Sequence, residues 1–151
     1  MTMDPSRRQA VAIGAGAFAA AMSVAPRLAS AANDADELIR QFVGKREVRP
    51  GRILIDLPEI AENGNTIPLA VKVDSPMTET SYVKEVLIVA DGNPRGGVAK
   101  LRFTPFSGTS EVNTRIRLSE SQNLIAVAQM SDGSIYKASK HIKVTIGGCG
   151  G

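Results

Sequence analysis

From Gly51 onward the chain is cut by turn-forming residues at intervals of roughly ten, and this spacing constrains the fold more than any other feature. The apolar runs between the cuts are Ile53–Leu57, Thr66–Val73, Tyr82–Ala90, Val98–Phe103, Val112–Leu118, Leu124–Met130 and Ile135–Ile146. Pro58, Asp74-Ser75-Pro76, Asp91-Gly92-Asn93-Pro94 and Pro105 are among the breakers. Short apolar runs so bounded read as strands, and Asp91-Gly92 and Asp132-Gly133 read as hairpin turns. The pattern predicts an all-β fold, an immunoglobulin-like antiparallel β-sandwich of about seven strands. No internal repeat interrupts it.

Alternation says which faces are wet. In Val112-Asn113-Thr114-Arg115-Ile116-Arg117-Leu118 the apolar side chains share one face and the arginines the other, a half-exposed strand. Val86–Ala90 and Leu124–Ala128 are instead apolar on both faces. Either a helix or loop of this chain covers their second face, or a second protein does. One helix is predicted, over residues 35–43: Asn33, Asp34 and Asp36 offer caps, Leu38, Ile39, Phe42 and Val43 recur at helical spacing, and Gly44 stops it.

The N-terminus reads as an address. Arg7-Arg8 precede a small, apolar run from Ala10 to Ala25, and Ala29 and Ala31 supply the small side chains of a signal-peptidase site. That order of basic pair, apolar run and cleavage site is the pattern of a twin-arginine export signal, and the run is too poor in large apolar residues for a membrane span. Residues 1–31 are therefore expected to be removed on delivery to the periplasm, leaving no membrane attachment. They hold three of the 18 basic residues and one of the 15 acids, so 15 bases against 14 acids remain. With no basic cluster among aromatics and no Trp, nothing points to nucleic acid. The expected organisation is a signal at 1–31, one β-sandwich domain at 32–146 and a carrier arm at 147–151.

Cys149 is the only cysteine, so no internal disulfide can form, and an exposed lone thiol in an oxidising compartment needs a reason. It sits in Gly147-Gly148-Cys149-Gly150-Gly151, with no other side chain in the segment. Glycines impose neither width nor stiffness, so the tail reads as a slim, mobile arm that can extend roughly 10 Å from Ile146 to Cys149. Such an arm suits a thiol presented to the active sites of other proteins, whereas a nucleophile of this chain's own would need neighbours to hold and activate it. The reading is of a carrier that is not itself an enzyme. Two chains can also join through a Cys149–Cys149 disulfide. His141, the single histidine, falls on the outward face of the last strand and reads as a solvated imidazole rather than a partner of Cys149. One thiol and one imidazole fall short of a metal site.

The ending Lys143-Val144-Thr145-Ile146-Gly147-Gly148-Cys149-Gly150-Gly151 resembles that of the SoxY family, carrier subunits of the bacterial thiosulfate-oxidising system. The resemblance extends through the twin-arginine signal, Ser75-Pro76-Met77-Thr78, Asn93-Pro94, Thr114-Arg115-Ile116-Arg117-Leu118 and Ser131-Asp132-Gly133-Ser134. It implies that Cys149 carries the sulfur and that the chain pairs with SoxZ, which lacks a signal and is exported with it. It implies passing contacts with the SoxXA cytochrome, which couples thiosulfate to the thiol, with the SoxB hydrolase, which releases sulfate, and with a sulfur dehydrogenase where one is present. The haem, manganese and molybdenum belong to those enzymes, and this chain is expected to carry no cofactor. A different class, the ubiquitin-like carriers, holds sulfur as a C-terminal Gly-Gly thiocarboxylate. Those are small β-grasp proteins of the cytoplasm that need no cysteine, whereas here an export signal precedes the domain and a cysteine centres the tail.

Overall fold

The computed structural model describes residues 33–148. The signal expected at 1–31, together with Cys149, Gly150 and Gly151 of the arm, lies outside them. Helix α1 (Ala35–Val43) opens the described chain. Nine strands follow: β1 (Val48–Pro50), β2 (Ile53–Asp56), β3 (Ile60–Asn63), β4 (Ile67–Val73), β5 (Val83–Ala90), β6 (Gly97–Arg102), β7 (Glu111–Ile116), β8 (Gln122–Met130) and β9 (Ile135–Ile146). They form two layers, a six-stranded sheet in the order β1-β9-β8-β5-β6 with β3 also on β9, and a three-stranded sheet β2-β4-β7. Among the described residues no helix is long and apolar enough to cross a membrane.

The expected β-sandwich is therefore present, with two differences. Nine strands stand where about seven were read, and the sandwich is not wholly antiparallel. β1 and β3 both run parallel to β9, on the edge that β8 leaves free, pairing Val48 with Ile135 and Asn63 with Ile146. Neither has a strand-like pattern of its own. All of β1 is exposed, and only Ala61 of β3 is buried.

The core lies between the layers, where Leu69, Val71 and Val73 of β4 meet Val86 and Ile88 of β5 and Leu124, Ala126 and Ala128 of β8. β4 alternates as a half-wet strand should, whereas β5 and β8 are buried on both faces. Their second face, Leu87, Val89, Ile125 and Val127, packs against Ala35, Phe42 and Val43 of α1. The apolar surface that a second protein could have covered is thus filled by this chain's own helix, and these strands are no evidence of a partner.

The cap candidates before α1 act as tethers. Asp34 makes no side-chain cap; its Oδ1 accepts from the Gly96 amide at 2.6 Å, and Asn33 Nδ2 donates to the Ala90 carbonyl at 3.1 Å. Of the two hairpin dipeptides, Asp132-Gly133 forms a tight turn: Gly133 has φ +86°, and the Asp132 carboxylate accepts from the Ser134 amide at 2.9 Å and its hydroxyl at 2.6 Å. Those bonds hold the Asp132 carboxyl below its usual range. Asp91-Gly92 instead opens a longer loop, Asp91–Gly96, because the Asp91 carboxylate is bonded to the amide and side chain of Asn123 at 2.8 Å each.

Candidate functional site

The arm leaves the domain from the end of β9, beside β3. Their parallel pairing ends with the Gly64 amide donating to the Ile146 carbonyl at 2.7 Å. Gly64 also accepts, from the Leu118 amide at 2.9 Å, and the Leu118 carbonyl in turn accepts from the Gly148 amide at 2.8 Å. Three segments far apart in sequence are thereby laced together by main-chain bonds around the root of the arm.

Glycine is what lets them approach. A Cβ built on Gly64 would stand 2.2 Å from the Leu118 carbonyl oxygen and 2.7 Å from the Gly148 nitrogen. On Gly147 it would meet the Ser119 carbonyl oxygen at 2.0 Å, and on Gly148 that of Gly64 at 2.2 Å. Real Cβ atoms do not come so close to backbone, so any side chain would spread the three segments. None of the three glycines has a positive φ; among the described residues those that do are Gly44, Gly51, Gly108 and Gly133. Space, rather than an unusual backbone angle, demands glycine here.

Two residues of the arm expected at 147–151 are thus placed against the domain. The arm was read as free from Gly147 onward, with roughly 10 Å of reach between Ile146 and Cys149. Gly147 lies against Ser119 and Gly148 donates to Leu118, so one peptide unit, about 3.8 Å between Cα atoms, separates the held Gly148 from Cys149. Ile142 is fully buried, but Ile146, on the same face of β9, lies beyond the end of the core and is 65% exposed.

The wall at Leu118 is itself held in place. Leu118 is fully buried, and the turn after it is fixed by Asn93, whose Oδ1 accepts from the Ser119 amide at 2.9 Å, the Ser119 hydroxyl at 3.2 Å and Gln122 Nε2 at 2.9 Å. Asn93 Nδ2 donates to the Arg117 carbonyl at 3.0 Å, and the buried Gln122 accepts from the Gly92 amide at 2.8 Å. On the other side Asn63 Oδ1 takes the Asn65 amide at 2.9 Å, closing the turn that carries Gly64. In the sequence Asn93 stands out as part of a breaker and of the family resemblance, while Gly64 and Gln122 are not singled out. An Asn-Gly pair marks Gly64 as a turn, but nothing local says what the turn will meet.

His141 lies on the outer face of β9, exposed, with Nδ1 3.2 Å from Asn123 Oδ1, and Asn123 Nδ2 donates to Asp91 at 2.8 Å. Its partner among the described residues is thus on β8, itself tied to the β5–β6 loop. Among the described residues no three His, Cys, Asp or Glu side chains group as metal ligands. Surface depressions open at several places among the described residues, and one of about 290 Å³ includes Asn93 and Arg117 beside the Leu118–Ser119 turn. One of about 430 Å³, lined by Pro68, Ala70 and Arg115, opens on the small sheet.

Comparison with known proteins fits this picture. A family model described as sulfur oxidation protein SoxY matches residues 39–149. The solved structure of the sulfur carrier protein SoxY from Chlorobium limicola f thiosulfatophilum is 31% identical, with a TM-score of 0.62 over 74% of this chain and 96% of that one. The superoxide reductase (neelaredoxin) of Ignicoccus hospitalis is 20% identical, with a TM-score of 0.56 over 62% of this chain and 80% of its own. That of Nanoarchaeum equitans is 14% identical, with a TM-score of 0.52 over 65% and 98%. The likeness to the reductases is one of fold alone. No curated protein matches the sequence.

Proposed function

We propose, on the footing that this chain belongs to the SoxY family, that it carries thiosulfate-derived sulfur covalently on Cys149 in the periplasm. Membership itself makes it a sulfur carrier of the Sox system, with Sox partners such as SoxZ. The observation that carries the finer reading is that the family match runs to residue 149, the chain's one cysteine, beside an arm root seated between glycines.

The chemistry is that of a persulfide shuttle. The Cys149 thiolate and the sulfane sulfur of thiosulfate form a sulfur–sulfur bond while two electrons pass to the SoxXA cytochrome. Water then cleaves the terminal sulfonate, in SoxB, releasing hydrogen sulfate and leaving a persulfide on the cysteine. A sulfur dehydrogenase, where present, oxidises that persulfide. This chain supplies the thiol and its presentation; the redox and hydrolytic groups are the partners'. SoxZ pairing and twin-arginine export of both chains together complete the reading, with a mature N-terminus at Ala32.

The test is a reconstituted thiosulfate-oxidising system with peptide mass spectrometry. Cys149→Ser is expected to abolish thiosulfate-dependent reduction of the cytochrome, with the sulfur adduct found on the Cys149 peptide of the parent protein. His141→Ala is expected to retain full turnover, since its imidazole is engaged with Asn123 on the outer face of β9. Sulfur on the Gly151 carboxyl, or turnover by Cys149→Ser, would overturn the reading.

A further inference from the structure

We propose that Gly64 and the Leu118–Ser119 backbone form a clasp that seats the root of the arm and sets where Cys149 emerges, making Gly64 a positioning residue for the thiol. The meaning of this for sulfur transfer rests on the carrier reading above; the clasp itself does not.

Three observations converge on it. The bonds from Gly64 to Ile146, Leu118 to Gly64 and Gly148 to Leu118 form a continuous main-chain lacing, so the arm root has partners on both sides. None of the three contacting glycines has a positive φ, yet each lies against backbone where no Cβ fits, so the requirement is for closeness. A merely slim arm would need glycine at 147 and 148 but not at position 64, which the chain reaches more than eighty residues earlier.

The clasp has a consequence for reach. With Gly148 seated, one peptide unit of about 3.8 Å separates it from the cysteine; released at Ile146, the arm could extend roughly 10 Å. The seated root therefore fixes the point of departure of the thiol, and a partner enzyme with a deep site has to unlace it. Its surroundings permit that. Gly64 and Leu118 are buried, but Glu62, Asn63 and Asn65 beside them are exposed, Ile146 is largely so and Gly148 is half-buried, so unlacing can begin from the arm side of the clasp, where water reaches.

Amide hydrogen exchange by NMR, with alkylation of the full chain by a small and a bulky thiol reagent, tests this without any sulfur substrate. In the parent protein the Gly148 amide is expected to exchange at least about tenfold more slowly than in a free glycine-rich peptide. Gly64→Ala is expected to remove that protection and to narrow the difference in alkylation rate between the two reagents, while the amides of Ile88 and Ala126 stay protected. Should Gly64→Ala not fold, Gly147→Ala decides, because its Cβ would collide with Ser119 and the arm can leave the clasp without disturbing the core. Gly148 exchanging at the free-peptide rate in the parent protein would overturn the proposal. So would a Gly147→Ala variant that keeps both the protection and the alkylation ratio. A missing sulfur adduct on Cys149 would sink the carrier reading and leave these results standing.

Discussion

Truncating Phe42 to alanine tests whether α1 is a built-in cover for the large sheet. The ring is 9% exposed and packs with Val89, Ile125 and Val127, the face of β5 and β8 turned away from the sandwich core. Removing a buried phenylalanine costs about 3–5 kcal/mol from lost transfer and the cavity left behind. Here the lower end applies, because Leu38 and Ile39 beside it are only partly buried and can settle inward. Lys100 Nζ lies 5.7 Å from the ring centroid, a contact worth about 0.5–1 kcal/mol at an exposed position. The sum is about 3.5–4 kcal/mol. With a urea slope of about 1–3 kcal/mol/M for small proteins, the unfolding midpoint should fall by about 1–4 M. Urea denaturation followed by circular dichroism reads this directly, and a fluorescent dye that binds apolar surface should light up on the variant. A loss below about 1 kcal/mol, well under the usual cost of a buried ring, would mean that α1 is only loosely docked. The apolar face would then be available to a partner after all, and the assignment of the helix as its cover would be wrong.

Two further outcomes follow from the site. Asn93→Ala removes the acceptor shared by the Ser119 amide, the Ser119 hydroxyl and Gln122, and should cost about 1–3 kcal/mol, since part of the group left unpaired is buried. Thermal unfolding indistinguishable from the parent would show that Asn93 does not hold the turn. Without reductant, the chain should give a dimer on non-reducing electrophoresis that Cys149→Ser abolishes, there being no second cysteine to pair with. A dimer that survived the substitution would not be a disulfide.

Much of the architecture was legible because it is set by local periodicity. Leu38, Ile39, Phe42 and Val43 can share a face only on a helix, and α1 spans Ala35–Val43, the predicted residues. The alternation of Ile67, Leu69, Val71 and Val73, and the turn chemistry of Asp132-Gly133, likewise carry their own structural instruction. So did the singularity of Cys149 in a frame of glycines, which pointed to the family before any coordinates.

What the tertiary structure alone decided is whatever depends on a distant neighbour. β1 and β3 are strands because the free edge of β9 offers them hydrogen bonds, and neither Val48-Arg49-Pro50 nor Ile60–Asn63 contains a pattern that would announce it. Whether the second face of β5 and β8 met a helix or a partner was undetermined by its own residues, since apolar side chains specify burial without naming what buries them. The glycines of the arm show the same limit most sharply. Read along the chain, Gly147 and Gly148 signify freedom; folded, they lie against Ser119 and Gly64 and signify closeness. Glycine is a permission rather than an instruction. An absent side chain allows a loose chain and a tight contact equally, and only the backbones that fold brings alongside determine which one results.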